Sequence, residues 1–326
     1  MDSAQNAVLG NLLSPVVLSF VLGMAAGLVR AQLSIPEAVG RGVAIYLMFA
    51  IGLKGGVAVA ESPLDLTLVL TILAGLALSF LMPLLAYLLL RFTAGLSQVE
   101  SAAVAAHYGS ISVVTFVAAT LFLGALEVTY EGYLVAVLAL METPAIISGV
   151  WLARRGDLGG RTVFSEDVVR EIFLNASVVL LVGGFLIGWV SGPAGLDKVA
   201  PFFKDPFTGV LCLFLLDMGL LASRRIREAR VLRPSILAFG IYMPLVGASL
   251  GLALGVGAGL SLGGATLLSV LAASASYIAV PAAMRLALPQ ANPALSLTLS
   301  LAVTFPFNIV VGIPLYFAAA RMVYGL

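Results

Sequence analysis

Two polar segments interrupt long apolar runs of the sequence, and each contains two serines separated by one residue. Ser110 and Ser112 lie in the first segment, and Ser274 and Ser276 lie in the second. Gly109 precedes the first pair and a proline follows the second, and both residue types favour interruption of a helix. An interrupted helix presents free amide N–H groups at the start of its second half, where the helix dipole and nearby hydroxyls also favour negative charge. The two segments predict an anion site, with close packing of small residues between helices as the alternative.

Glu142 is a carboxylate near the centre of another apolar run. It lies 11 residues after Glu131 and 12 residues before Arg154, which places it at about the middle of a bilayer. A carboxylate at that depth costs about 2.5–3.5 kcal/mol and needs a partner. No cationic side chain is predicted there, so the expected partner is Na⁺ or a proton. Thr304 and Asn308, at similar depth in the second half, add oxygen ligands that suit Na⁺. A protonated Glu142 that hydrogen-bonds within the helix bundle is the alternative.

Four further side chains in the apolar runs could contribute chemistry. We expect Lys54 to extend outward toward Glu61 rather than to contact a substrate. Asp217 is interpreted either as a hydrogen-bonding acid or as a second coupling group. For His107 we favour a neutral, hydrogen-bonded histidine over a pH sensor or an anion donor. Cys212 is interpreted as a packing residue.

The charge content indicates that these residues belong to a membrane protein. Only 33 of 326 residues are charged, 61% are hydrophobic, and the mean hydropathy is +1.12. Because a soluble domain carries about 25% charged residues, the composition excludes an ordinary soluble protein, a disordered chain and a nucleic-acid binder. The sequence lacks an HExxH motif and a histidine cluster, which disfavours an intramembrane enzyme. It also lacks a repeat of pore-lining charges, which disfavours a channel.

Hydropathy and helix breakers divide the chain into ten predicted spans, which must be helical because hydrocarbon offers no partners for backbone polar groups. The loops after the odd-numbered spans hold thirteen arginines, whereas the opposite side holds Lys198, Lys204 and Arg321. This asymmetry predicts that the odd-numbered loops are cytoplasmic and that both termini lie outside. The predicted spans are residues 12–29, 43–60, 66–90, 101–123, 132–153, 172–191, 206–222, 235–255, 263–284 and 296–320.

Matching landmarks in the two halves predict a repeat of five spans. Five is an odd number, so the second copy would enter the membrane from the opposite side, as in secondary transporters with inverted repeats. The prediction divides the chain into a first repeat (1–153), a central cytoplasmic connector (154–171) and a second, inverted repeat (172–326). The paired landmarks are Gly52 and Gly219, Ser110 and Ser274, and Glu142 and Thr304, which lie 167, 164 and 162 residues apart.

The sequence resembles the sodium-dependent bicarbonate transporter family, of the cyanobacterial SbtA type. The resemblance covers most of the chain, and five segments carry it: residues 51–56, 109–112, 274–285, 303–308 and 311–316. It implies an all-α polytopic fold of ten helices arranged as a gate and a core domain, with spans 4 and 9 broken where they cross. It also implies a homotrimer in the lipid of the bacterial inner membrane that carries bicarbonate inward with Na⁺ by alternating access.

The resemblance also implies the ligands of both solutes, and it requires no resident cofactor. Na⁺ as the coupling ion would lie near Ser112, Thr115 and Glu142. Family members usually carry Asp where this chain has Glu142, so H⁺ coupling stays open. His107, Val113 and Val114 replace smaller residues of the family, so another small anion also stays open. A PII-like regulator also stays open, because the central connector is shorter than in cyanobacterial members. The implied anion ligands are Gly109, Ser110, Ile111, Ser112, Ser274, Ala275 and Ser276.

Overall fold

The regular secondary structure of the residues that the structure describes is entirely helical. All of that structure is α- or π-helix, and no strand occurs among the described residues. This confirms the all-helical part of the prediction, whereas most of the predicted connector 154–171 lies outside the described residues. The computed structural model describes residues 13–62, 65–154, 176–229 and 233–326, together with Glu166, Arg170 and Leu174.

We number twelve helices in chain order along the described residues. The first six are α1 (Pro15–Leu28), α2 (Glu37–Ala60), α3 (Leu66–Ala94, ending in a π-helical turn), α4 (Gln98–Gly109), α5 (Val113–Ala125) and α6 (Leu134–Arg154). The remaining six are α7 (Ala176–Phe203), α8 (Phe207–Ala229), α9 (Pro234–Gly257), α10 (Leu262–Ala272), α11 (Ala279–Ala287) and α12 (Pro293–Tyr324, with π-helical segments Thr298–Thr304 and Asn308–Gly312).

Eight segments of the described chain are long and apolar enough to cross a membrane, with α4 and α5 counted as one segment. Two further apolar helices, α1 with 14 residues and α10 with 11, are shorter. The chain is therefore a multi-pass membrane protein by the length and composition of its helices. The count of ten spans stays a prediction, because spans 1 and 9 would rest on these shorter helices.

One predicted boundary agrees with a break in the structure and one was wrong. Within α7 the backbone leaves helical geometry at Gly192 (φ 60°, ψ −167°), directly after the predicted end at 191, and a second helical part begins at Pro193 and continues to Phe203. The Gly-Pro pair therefore ends the predicted span, and the helical part after it was not predicted. Helix α2 begins at Glu37 rather than at 43, and its first turns are extended by an ion pair between Glu37 and Arg41 one turn apart.

The helices pack as two groups. The smaller helix group contains α1, α2, α7 and α8, in which α2 packs along α7 and α1 packs along α8. The larger helix group contains α3 to α6 and α9 to α12, in which α3 and α4 pack on α6 and α9 packs on α10. The main contacts between the groups join α8 to the first π-helical segment of α12 and α2 to α6.

Glycines bring the helices of the smaller group into backbone contact. A Cβ added at Gly188 of α7 would lie 2.0 Å from the Leu53 carbonyl oxygen of α2, and one at Gly23 of α1 would lie 2.0 Å from the Leu216 carbonyl oxygen of α8. Such contacts are possible only where a side chain is missing. The two landmark glycines of the sequence, Gly52 and Gly219, lie in these same interfaces.

Candidate functional site: the crossing of two broken helices

The two interrupted helices meet directly, and we call their meeting point the crossing (residues 107–112 and 273–278). Helix α4 ends at Gly109 and α5 begins at Val113, while α10 ends at Ala272 and α11 begins at Ala279. The breaks therefore fall where the serine pairs predicted them. The Ser276 amide donates to the His107 carbonyl oxygen at 2.8 Å, which joins the two segments through their main chains.

At the first break, Ser112 caps the helix that follows, and Gly109 allows close packing against α3. Ser112 caps α5, and its hydroxyl oxygen accepts from the Thr115 amide at 3.3 Å and from the Thr115 hydroxyl at 2.8 Å. Gly109 lies so close to α3 that an added Cβ would be 2.2 Å from the Pro83 ring and 2.8 Å from the Ser79 carbonyl oxygen. Ser110 is buried, and its hydroxyl has no hydrogen-bond partner among the described residues.

The second break is tied to its surroundings mainly through its main chain. Asn308 donates from Nδ2 to the Ala273 carbonyl oxygen at 2.9 Å, and the Ser274 hydroxyl donates back to Val270 at 2.7 Å. Ile278, the residue before α11, makes no side-chain cap. The amide groups at the start of α11 are therefore not satisfied by a capping side chain.

Three helices place Glu142 at the level of the first break. Gln98 at the start of α4 contacts the Leu152 carbonyl oxygen near the end of α6, so the two helices run antiparallel. The Ser79 hydroxyl of α3 donates to the Met141 carbonyl oxygen, while the Ser79 carbonyl oxygen lies against Gly109. Glu142 therefore lies beside the break. The residue is 2% exposed, and its Oε2 lacks a partner among the described residues.

Thr304 and Asn308 are buried near the crossing but already bonded to protein groups. The Thr304 hydroxyl donates to the Gly240 carbonyl oxygen at 2.7 Å, so the Tyr108 hydroxyl, also at 2.7 Å, must be the donor to Thr304. Asn308 uses Nδ2 for Ala273 and accepts at Oδ1 from the Tyr316 hydroxyl at 2.7 Å. In this conformation both side chains hold helices together, and their predicted contact with Na⁺ stays a prediction.

The other polar side chains singled out by the sequence lie apart from one another. The Lys54 ammonium group is 3.6 Å from the centroid of the Phe207 ring, a cation–π contact that takes the place of the expected approach to Glu61. Asp217 covers Gly40, where an added Cβ would lie 2.8 Å from its carboxylate. Lys54 and Asp217 therefore have separate surroundings, as the difference in their predicted depths indicated.

His107 is a buried, hydrogen-bonded histidine of the crossing. Its Nδ1 lies 2.6 Å from the Ser276 carbonyl oxygen, which can only accept, so Nδ1 carries the proton. The Ser300 hydroxyl lies 3.5 Å from the same nitrogen. These contacts agree with the favoured interpretation of His107 as a residue of the packed interior.

An open cavity of about 570 Å³ lies between the smaller helix group and the second break. Its wall contains three arginines, two acids and, from the second break, Tyr277 and Ile278. The acids are Glu37, which pairs with Arg41, and Asp217. The charged residues of the wall are Glu37, Arg41, Asp217, Arg224 and Arg225.

Sequence reasoning missed two features of this region. Tyr108 and Tyr277 stand beside the serine pairs, but nothing in their spacing indicated that the Tyr108 hydroxyl bonds to Thr304 or that the Tyr277 hydroxyl lies beside Ser112. The close pairing of α1 with α8 and of α2 with α7 was also missed, although a signal was present. Residues 23–27 and 184–188 both have glycines four positions apart, the pattern typical of close contact between membrane helices.

Comparison with known proteins assigns the chain to a family. A family model described as the Na⁺-dependent bicarbonate transporter superfamily matches residues 15–321, nearly the whole chain. No curated protein matches the sequence.

Proposed function

The chain belongs to the Na⁺-dependent bicarbonate transporter superfamily, and from this premise we propose that it imports bicarbonate together with Na⁺ by alternating access. Family membership supports transport over the enzymatic alternative. The proposal assigns the anion to the crossing of the broken helices and the cation to the carboxylate beside it.

The proposal rests on the positions of the buried polar atoms that have no hydrogen-bond partner in the protein. Among the described residues, five buried side-chain atoms have none. Three of them belong to the crossing or lie at its level: the Ser110 hydroxyl, Glu142 Oε2 and the Tyr277 hydroxyl. A buried polar group without a partner costs about 1–3 kcal/mol. Solutes that supply the missing partners are therefore expected at this place.

Bicarbonate fits the side of the crossing that is rich in hydrogen-bond donors. We propose that bicarbonate is bound by the backbone at Gly109, Ile111 and Ala275 and by the Ser110 hydroxyl, with the starts of α5 and α11 adding their dipoles. Ser112, Ser274 and Ser276 complete the lining that the family resemblance implies.

The cation fits Glu142, whose charge is otherwise uncompensated in the protein interior. We propose that Na⁺ binds between Glu142 and the hydroxyl pair of Ser112 and Thr115. The described residues contain no group of three or more His, Cys, Asp or Glu that could hold a metal ion. Na⁺ would then be held by one carboxylate with hydroxyl and carbonyl oxygens. Thr304 Oγ1 and Asn308 Oδ1 each accept one hydrogen bond at present and keep a second lone pair with which they could join.

Paired contacts in the two halves support ten spans in two inverted repeats. Helix α2 packs on α7 in the way that α8 packs on α1, so each pair joins the first span of one half to the second span of the other. Glu131, before α6, accepts from the Ser261 amide at the start of α10 at 2.7 Å. Near the start of α4, Glu100 accepts from the Asn292 amide, before α12, at 3.0 Å. Each contact thus has a counterpart in which the two halves have changed places. We propose that this correspondence arises because the halves are repeats.

The cavity beside Tyr277 supports alternating access between the two helix groups. It approaches the crossing from one end of the molecule, where Arg41, Arg224 and Arg225 lie. By the distribution of basic residues this end is cytoplasmic, so the conformation would be open inward. We extend the proposal to a homotrimer in the bacterial inner membrane with both termini outside, on the strength of the family resemblance.

Uptake into proteoliposomes tests the proposal. We expect purified protein to accumulate labelled bicarbonate when an inward Na⁺ gradient is applied. Equal uptake with K⁺ or choline would contradict Na⁺ coupling, and a pH gradient that replaced Na⁺ would establish the H⁺ alternative. If other small anions competed while bicarbonate was not accumulated, the substrate would be another anion on the same fold.

A further inference from the structure

Tyr277 is a buried polar residue at the crossing to which neither the sequence analysis nor the family assignment gives a role. It directly follows Ser276 in the second break and is 9% exposed. Its hydroxyl lies beside the Ser112 side chain of the first break, yet no described residue forms a hydrogen bond of proper geometry with it. A buried phenol hydroxyl usually forms a hydrogen bond, so a partner for Tyr277 is expected.

The ring of Tyr277 is fixed by aromatic packing, so the hydroxyl has a defined position. Its centroid is 5.3 Å from that of Phe305, in an edge-to-face arrangement at 68°. Phe305 packs in turn against Phe20 of α1, also at 5.3 Å and edge to face. Such pairs contribute beyond simple burial. The row of three rings links the smaller helix group to the second break and holds the phenol in place.

The position of Tyr277 lies on the path between the crossing and the inward-facing cavity. Tyr277 and Ile278 form part of the cavity wall, while the preceding residue, Ser276, is bonded to His107 in the crossing. With three arginines against two acids, the ionisable groups of the cavity wall carry a net charge of +1 at neutral pH. An excess of positive charge favours an anion over a cation on this side of the crossing.

We propose that the Tyr277 hydroxyl donates a hydrogen bond to the transported oxyanion and so helps to determine substrate specificity. A neutral phenol is a strong donor to a charged oxygen, and such a bond is about twice as strong as one between neutral groups. Glu142 and the hydroxyl pair of Ser112 and Thr115 stay with the cation. This inference rests on the proposed function and adds a side-chain donor to a site otherwise built from backbone and serines.

The test compares Tyr277→Phe with Tyr133→Phe in proteoliposomes. The phenylalanine ring of the first variant keeps the packing against Phe305, and the substitution removes only the hydroxyl. Tyr133 is a matched control, because its hydroxyl is also buried and also lies beside another hydroxyl, that of Thr71, without a hydrogen bond of proper geometry. It stands just before α6, away from the crossing. We expect Tyr277→Phe to raise the KM for bicarbonate about tenfold or more, as loss of a bond to a charged group does, with the Na⁺ activation constant unchanged. Tyr133→Phe should leave both constants unchanged.

A donor-restoring variant separates hydrogen bonding from shape. 4-Aminophenylalanine at position 277 should return the KM toward the wild-type value, whereas 4-methylphenylalanine, which matches tyrosine in size, should not. If Tyr277→Phe fails to assemble, the comparison of these two variants still tests the proposal. An unchanged KM in the variants without a donor, or a change confined to the Na⁺ constant, would overturn the inference and leave the proposed function standing. Absence of bicarbonate uptake by the wild-type protein would overturn both.

Discussion

His107 and Ser276 are joined by two hydrogen bonds, although they lie 169 residues apart in the sequence. The Ser276 amide donates to the His107 carbonyl oxygen at 2.8 Å, and the protonated Nδ1 of His107 donates to the Ser276 carbonyl oxygen at 2.6 Å. His107 of the first broken helix thus forms hydrogen bonds with both the amide and the carbonyl oxygen of Ser276 in the second. The relative position of the two breaks, and hence of any anion held between them, depends on this pair.

Replacement of His107 should separate the bonding role of its ring from its bulk. His107→Leu leaves the Ser276 carbonyl oxygen buried without this partner, which costs about 1–3 kcal/mol, so we expect a lower unfolding temperature in detergent and loss of uptake. In His107→Asn, the amide Nδ2 stands about where Nδ1 stood and can donate to Ser276. We expect this variant to keep part of both stability and transport. If the two variants had the same uptake, the bond to Ser276 would have no part in the mechanism.

Local composition predicted the two breaks and the depth of the acid. Gly109 and Pro281 disfavour continuous helix wherever they occur, and the charged residues around Glu142 fix its distance from the ends of its span. Such features depend on neighbouring residues only, and a single sequence contains them. The structure has both breaks where they were predicted, and the depth of Glu142 in the bilayer stays a prediction.

Partners from distant parts of the chain could not be predicted in this way. Thr304 and Asn308 have oxygens suited to Na⁺, but their bonds to Gly240, Tyr108, Ala273 and Tyr316 depend on how the helices pack. The helical part of α7 after Gly192 was missed for a related reason, since its contacts with Tyr46 of α2 join distant parts of the chain. Periodicity and propensity report the local preference, which tertiary contacts override.

Glu142→Gln should weaken the activation of transport by Na⁺. Glutamine keeps the shape of the side chain but has no negative charge to offset that of the cation, so we expect the Na⁺ concentration for half-maximal uptake to rise at least tenfold. Glu100→Gln is the control, because Glu100 also has a buried carboxylate oxygen without a partner but lies near the start of α4, bound to Asn292. Measured Na⁺ activation curves should differ for the first variant alone. Wild-type kinetics in Glu142→Gln would remove Glu142 from the coupling site.

Gly188→Ala should destabilise the smaller helix group, because its Cβ would collide with the Leu53 backbone of α2. The added atom would lie 2.0 Å from a carbonyl oxygen that cannot move without displacing the helix. Overpacking of this kind costs about 1–3 kcal/mol. Gly183→Ala, on the same helix, is the matched control, since an added Cβ meets nothing within 4 Å there. Thermal unfolding in detergent should show a lower midpoint for Gly188→Ala only, and equal midpoints would contradict the close contact of α2 with α7.

Thiol labelling should reveal on which side the cavity beside Tyr277 opens. In a Cys212→Ala background, which removes the native cysteine, Ala44→Cys places a thiol in the cavity wall. The wall is charged and open, so a membrane-impermeant maleimide should reach this thiol from the cytoplasmic face of inverted vesicles. Leu73→Cys provides the comparison, because Leu73 is exposed on the apolar helix α3 and its thiol, facing lipid, should react slowly from either face. Labelling of Ala44→Cys from the outer face alone would contradict both the orientation inferred from the arginines and the inward-open assignment of this conformation.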